Sequence, residues 1–420
     1  MSIRQRLQSL HAEVREHLEQ GIIPFWANRA PDRECGGYLT NFDEKGEHYG
    51  TPEKYLNSQC RLLWWFSRLA RTRPEASFAA FLAKHGADFL IQHYWDEQFG
   101  GWAWKTHRDG SELDPAKIVY GQSFAIYAFS EYSLATKDPR GLEYASRTFD
   151  LLQKYAADTL HGGYYENLNR DWSPESPGFA GGDRKGLDTH MHLMEAFTTL
   201  YAASGQDIHR RKLLQITDLI CQKMIDPVAG CGLNQFDIAF RSLPALGIKR
   251  TWNAERFGER PADPTDTTSY GHNVELAWLM TRALETANAP LEPYHPYLRR
   301  LLDHALQHGV DWEFGGIYRD GLRHAGPLVL EKEFWQHAEC LVGFLGGYET
   351  FSDARYLDAF DKIWAFVRDH MIIRGVGEWR TLLERQGKPI DPKIGNCWKV
   401  SYHTGRAAIE CTERLEKLMG

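Results

Sequence analysis

Histidine is the side chain whose proton affinity lies nearest neutrality, and in this chain histidines recur in segments where a purely structural helix would carry apolar filler. The segments are Asp188-Thr189-His190-Met191-His192, Tyr270-Gly271-His272-Asn273-Val274-Glu275, Phe334-Trp335-Gln336-His337 and Trp398-Lys399-Val400-Ser401-Tyr402-His403. Two more of the same kind, Tyr55-Leu56-Asn57-Ser58-Gln59-Cys60-Arg61 and Val119-Tyr120-Gly121-Gln122, carry a guanidinium and a phenol. One helical histidine alone is ordinarily a satisfied structural residue. Several at matching places describe a site that moves protons in both directions. His272 and Glu275 sit three apart on one helical face, so the carboxylate is expected to orient the ring and raise its basicity. His190 and His192, two apart, point in different directions on a helix, and no HExxH sequence or cysteine cluster is present. The set is therefore not read as a metal centre. Gly181-Gly182-Asp183-Arg184-Lys185-Gly186 lacks the order of a phosphate-binding loop, and no nucleotide cofactor is expected.

An internal repeat must bring these segments together. An aspartate followed, after three residues, by Gly-Gly and an apolar residue occurs at Asp32…Gly36-Gly37-Tyr38, Asp96…Gly100-Gly101-Trp102, Asp158…Gly162-Gly163-Tyr164 and Asp311…Gly315-Gly316-Ile317. Asp226…Gly230-Cys231-Gly232 is a degenerate copy, and Gly375-Val376-Gly377 is a sixth. Between the turns, apolar residues recur at helical spacing in pairs of segments, for example residues 118–136 followed by 140–158. Each unit reads as an inner helix, an outer helix and a glycine turn that opens a short hairpin or loop leading to the next inner helix. Six such hairpins cannot bury their apolar faces singly, so they are expected to close on one another. The expected fold is all-α, an (α/α)6 barrel formed by a single domain over residues 1–420. Its inner helices would start at one mouth and gather the segments above.

Composition sets limits on what that mouth can bind. A net charge of −7 argues against a nucleic-acid partner, which would require a basic face. The seven cysteines include no CxxC pair and read as reduced thiols. No stretch approaches a membrane span, so the expectation is a cytoplasmic protein, monomer or homodimer, with a small-molecule partner. The aromatic load of 14 Trp, 19 Tyr and 21 Phe exceeds ordinary core needs and suits a carbohydrate site.

Over essentially its whole length the chain resembles the N-acylglucosamine 2-epimerase superfamily, in the branch of mannose 2-epimerases, cellobiose 2-epimerases and aldose–ketose isomerases. The resemblance is carried by Ser269-Tyr270-Gly271-His272-Asn273-Val274-Glu275, by Thr189-His190-Met191-His192-Leu193-Met194-Glu195-Ala196, and by residues 398–406, from Trp398 through His403 to Arg406. It implies cofactor-free deprotonation and reprotonation at C2 of an open-chain sugar through an enediolate. It also implies His272 and His403 as the acid/base pair, His192 as the histidine of ring opening and proton shuttling, and Arg61 as the cation facing the enediolate oxygens. Trp335 and Trp398 would be ring-binding walls, and Tyr120, Asp188, Glu275 and Glu339 supporting polar contacts. The chain departs from the family at Asp188, where epimerases often carry Asn, and at His337, where they carry Gln. The chemistry asks for such groups in any case. A proton beside a carbonyl is weakly acidic, so its removal needs a placed base and a positive charge at the developing oxyanion.

Two rivals share the toroid. A glycoside hydrolase would use two carboxylates, drawn from Asp188, Glu275 and Glu339, and would leave the histidines idle. A non-catalytic sugar-binding protein would need only the tryptophan-lined mouth. Residues 238–268, rich in Arg and Pro and containing Trp252, form an insertion directly before His272. They are expected to act as a lid that favours a monosaccharide, D-mannose or D-glucose, over cellobiose.

Overall fold

The computed structural model describes residues 2–176, 182–243 and 267–420. Among the described residues six inner helices, α3 (Leu56–Thr72), α5 (Val119–Thr136), α7 (Leu187–Ser204), α9 (Tyr270–Thr286), α11 (Phe334–Phe351) and α13 (Ser401–Met419), pack each against the next. The last meets the first and closes the ring. Five of them run directly into an outer partner: α4 (Phe78–His93), α6 (Pro139–Leu151), α8 (Asp207–Lys223), α10 (His295–His308) and α12 (Ala354–Phe366). The sixth hairpin joins the two ends of the chain. Helix α1 (Ile3–His17) packs on α13 and continues through a π turn, Leu18–Ile22, into the short α2 (Ile23–Arg29). The architecture is the expected (α/α)6 barrel.

The two helix classes differ in burial for a simple reason. An outer helix presents one stripe to the barrel, as α6 does with Gly141, Ala145, Thr148 and Phe149. An inner helix is enclosed on every side over its first three turns, as α3 is from Leu56 through Ser67, so both its apolar and its polar residues lie inside.

The glycine turns are built by their aspartates. In each intact copy one carboxylate oxygen accepts the two backbone N–H groups that follow, as Asp311 does from Glu313 and Phe314, both at 3.1 Å. The other oxygen takes a buried lysine from the strand that leads into the next inner helix: Lys54 on Asp32, Lys117 on Asp96, Lys185 on Asp158 and Lys332 on Asp311, at 2.7–3.1 Å. In the degenerate copy Thr268 stands at the lysine's place and donates to the Gly232 carbonyl at 2.9 Å. These leading strands pair antiparallel with the hairpin of the following unit, as Lys332–Glu333 does with Leu382–Leu383, and so stitch neighbouring units around the mouth.

A second lock sits at the fourth residue of the inner helices. Gln59, Gln122, His190, Asn273 and His337 each accept a turn's backbone N–H, those of Tyr38, Trp102, Tyr164, Gly232 and Ile317, at 2.8–3.1 Å. The Nδ1 atoms of His190 and His337 lie 2.8 Å from the carbonyls of Gly186 and Glu333, one turn earlier. Burial pushes the two imidazoles down to about 4 and about 3, so both stay neutral and keep an acceptor nitrogen. The close approach also explains Gly316, whose φ is +75° and whose Cβ, if it had one, would lie 2.5 Å from His337 Nε2. His337 thus fills the role that glutamine fills in two other units. His337→Gln is expected to keep the melting temperature within a few degrees. His337→Leu should lower stability by about 1–3 kcal/mol, because it strands the buried Ile317 N–H. Equal melting temperatures for the two variants in a thermal unfolding scan would contradict this role.

No helix among the described residues is long and apolar enough to cross a membrane. Residues 244–266 of the expected lid, Trp252 included, lie outside the described residues.

Candidate active site

Each inner helix leaves an extended residue and turns into the barrel, so equivalent positions form rungs around the axis. The sixth residues are Arg61, Phe124, His192, Glu275, Glu339 and Arg406, and the third residues include His272 and His403. The sequence separations vanish in this way. A cavity of about 320 Å3 at the mouth is lined by Arg61, Tyr120, His192, His272, Glu275, Trp335, Trp398 and His403, together with Glu333, Phe334, Thr381, Asp391, Asn396 and Lys399. Eight of the ten residues singled out from the sequence therefore share one cavity wall. Glu339 lies behind His403, and Asp188 does not line the cavity. Asp188 is buried in the first turn of α7, its Oδ1 accepting from the Thr189 N–H at 2.9 Å and packed with Glu166 against Gly186.

Arg61 is held from two sides. Nη2 donates to the Tyr120 hydroxyl and Nη1 to the Trp398 carbonyl, each at 2.8 Å, while the guanidinium lies over Phe124 at 4.5 Å and Tyr402 at 4.9 Å. A fixed cation with water excluded from its flank is suited to a developing oxyanion. The Trp335 ring lies 4.6 Å from the His272 ring and 5.8 Å from the His403 ring, between centroids.

Carboxylates orient two of the histidines. His192 Nδ1 is 2.9 Å from Glu195 Oε2 and His403 Nδ1 is 2.6 Å from Glu339 Oε1. With Nδ1–H donating to the carboxylate, Nε2 is left as the free lone pair. Burial lowers the proton affinity of both rings, and at His403 the charges of Arg61 and Arg406 lower it further, so both rings favour the neutral form. The His272–Glu275 pair expected from spacing is not made. Glu275 Oε1 accepts from Arg406 at 2.7 Å, and its Oε2 has no hydrogen-bond partner. The three-residue pairing is realised at His192 and Glu195 instead.

Glu275, Glu339 and His403 bring donor atoms within 4.8 Å of one another, a spacing that a cation can bridge. The positive charge there is the guanidinium of Arg406, which contacts both carboxylates at 2.7 Å.

A toroid with an imidazole-rich mouth admits several chemistries, and comparison with known proteins decides among them. Residues 37–407 match the sequence profile of N-acylglucosamine 2-epimerase (GlcNAc 2-epimerase). The chain belongs to the N-acylglucosamine 2-epimerase family. A cellobiose 2-epimerase from Dictyoglomus turgidum is 28% identical over 97% of this chain and 100% of that protein. A D-mannose isomerase from Marinomonas mediterranea is 25% identical over 95% of this chain and 96% of its own length. The solved cellobiose 2-epimerase of Spirochaeta thermophila superposes with a TM-score of 0.87 at 28% identity, covering 100% of both chains. As an N-acylglucosamine 2-epimerase family member the protein is a carbohydrate epimerase or isomerase.

The structure adds polar residues that spacing alone did not single out. Glu195, Tyr402 and Arg406 are buried behind the cavity wall, in contact with one another. The Tyr402 hydroxyl donates to Glu195 at 2.8 Å, and Arg406 bonds both Glu195 and Tyr402. A signal was present: His192 and Glu195, like His403 and Arg406, are three apart, as His272 and Glu275 are.

Proposed function

We propose that the protein is a 2-epimerase interconverting D-mannose and D-glucose. In the open-chain sugar one of His272 and His403 removes the C2 proton. The C–H electron pair moves into a C1–C2 double bond, and the carbonyl electrons move onto O1, which faces Arg61. The other histidine then returns a proton to the opposite face of C2, giving the epimer. His192, oriented by Glu195, assists ring opening and shuttles the proton involved, from O1 as the C1–O1 double bond forms to O5 as the C1–O5 bond breaks. Trp335 and Trp398 hold the sugar, Tyr120 fixes Arg61, Glu339 orients His403, and Glu275 and Asp188 act as supporting polar groups.

The observation that carries this reading is the convergence of His272, His403 and Arg61 on one cavity. One base cannot readily serve both faces of a planar enediolate, and two on different helices can. Of the three carboxylates expected to serve a glycosidase, Asp188 lies off the cavity wall and Glu339 is spent on His403 and Arg406, which leaves Glu275 without its partner. The monosaccharide preference is supported by a cavity of about 320 Å3, at the small end of the ~300–1,000 Å3 range for small-molecule sites. Conversion of D-mannose to D-fructose is a second reading, favoured by the D-mannose isomerase relative; it shares the enediolate and differs in returning the proton to C1.

A product screen with mannose, glucose, fructose and cellobiose, run without added cofactor and read by chromatography, tests the assignment. Glucose is expected as the main product from mannose, with little turnover of cellobiose. Fructose as the main product would move the protein to the isomerase reading, and a cellobiose rate above that of mannose would overturn the monosaccharide preference.

A further inference from the structure

Arg406 is fully buried, and four polar groups meet its guanidinium: Glu195, Tyr402, Glu275 and Glu339. Two of those carboxylates are the ones that hold the Nδ1 atoms of His192 and His403. A continuous chain therefore runs His192–Glu195–Arg406–Glu339–His403 across the barrel, from α7 through α13 to α11 and back to α13. Trp278 and Tyr402 cover the guanidinium at 4.8 and 4.1 Å, and the Trp278 indole N–H donates to Glu339 at 3.1 Å, so no part of the chain is loosely held.

We propose that Arg406 is a positioning residue that joins His192 and His403 into one unit, so that a change at either end of the chain alters both rings. This rests on the assignment of His403 as a base and goes beyond it, because it gives Glu195, which does not touch His403, a measurable effect on His403. The reason is charge. Three carboxylates share a single guanidinium in a region closed to water, where charges interact far more strongly than in solvent. Burial and the nearby Glu339 charge push Glu275 well above the usual carboxylate range. Burial pushes Glu339 up as well, against the pull of Arg406. At Glu195 burial again works upward, but Arg406, His192 and Tyr402 together hold the group well below that range. Removing one carboxylate redistributes the hold of Arg406 over the other two.

The groups facing His403 are Arg61 from α3, Tyr120 from α5, His192 from α7, His272 and Glu275 from α9, Glu339 from α11 and Tyr402 and Arg406 on its own helix, with Glu333, Asp391 and Lys399 at the cavity rim and Glu195 one step behind His192 and Arg406. Among them Glu195→Gln deletes one negative charge without touching His403. It thereby disfavours the imidazolium of His403.

The test is a double-mutant cycle on the full-length protein, with Glu195→Gln, Glu339→Gln and the pair, read by kcat, KM and the pH profile of kcat/KM. Each single change is expected to lower kcat by about 10- to 100-fold with KM changed little, as loss of an orienting partner behind a functional imidazole does. The pair should lose clearly less than the product of the two, because the second change acts on a unit already broken. Glu195→Gln should also move the acid limb of kcat/KM to lower pH. Should Glu195→Gln fail to fold, Tyr402→Phe removes a hydroxyl from the same chain while keeping the ring, and should lower kcat and combine less than multiplicatively with Glu339→Gln. Strictly multiplicative losses with an unmoved acid limb, in an enzyme that His403→Ala inactivates, overturn the coupling and leave the base assignment intact. Full activity of His403→Ala overturns the base assignment instead.

Discussion

His403→Ala is expected to lower kcat by about 100- to 10,000-fold, the range set by losing a placed acid/base, while the circular dichroism spectrum and melting temperature stay close to those of the parent. The separation of the two effects follows from position. His403 sits in the first turn of α13 with its ring at the cavity wall, and it bonds to Glu339 rather than to a turn that closes the barrel. His190 and His337 are the opposite case, since their Nε2 atoms lock glycine turns and their loss should cost stability. His272→Ala should match His403→Ala in kcat, because epimerisation needs both faces served. A binding protein without turnover would keep its sugar affinity in all these variants and show no rate to lose. Near-parental kcat in either variant would mean that the bases lie elsewhere.

Arg61→Gln is expected to cost about 100- to 1,000-fold in kcat, the magnitude found when one donor is removed from an oxyanion site, with a smaller change in KM. The charge on O1 is full only in the enediolate, so the guanidinium holds the intermediate more tightly than the sugar that enters. Tyr120→Phe gives the companion measurement: it removes the hydroxyl that fixes Arg61 Nη2 at 2.8 Å but leaves the charge, and its loss should be markedly smaller. An Arg61→Gln variant that raises KM with kcat unchanged would show that Arg61 binds substrate and transition state alike, and would remove it from the chemistry.

Much of the barrel was legible in the chain because the repeat marks it. Asp-x3-Gly-Gly is readable since each of its parts serves the backbone. The carboxylate caps two N–H groups, and the glycines take positive φ where a side chain would collide. From the turns the inner helix starts follow, and with them the residues of the cavity wall. Two features escaped. The closing hairpin could not be read as a unit, because its outer helix α1 lies at the far end of the sequence from α13 and only the closed ring brings them together. The pairing of carboxylates with histidines also differs from expectation. Spacing within a helix predicts His272 with Glu275, yet the barrel offers Glu275 a buried guanidinium from α13, and a hydrogen bond from that charged donor wins over the ring on the same helix. The same competition gives His403 a partner on a different helix, Glu339, which no local spacing announces. His337 looked like a departure within the site, and its place among Gln59 and Gln122 shows it to be part of the turn lock instead.

Turnover in deuterium oxide tests the two-base enediolate chemistry most directly. Starting from D-mannose of natural isotopic content, the histidine that delivers the returning proton has exchanged with solvent, so the D-glucose formed in the earliest turnovers is expected to carry deuterium at C2, seen as loss of the C2 proton resonance. Glucose that retains its C2 hydrogen completely would contradict proton transfer by two histidines.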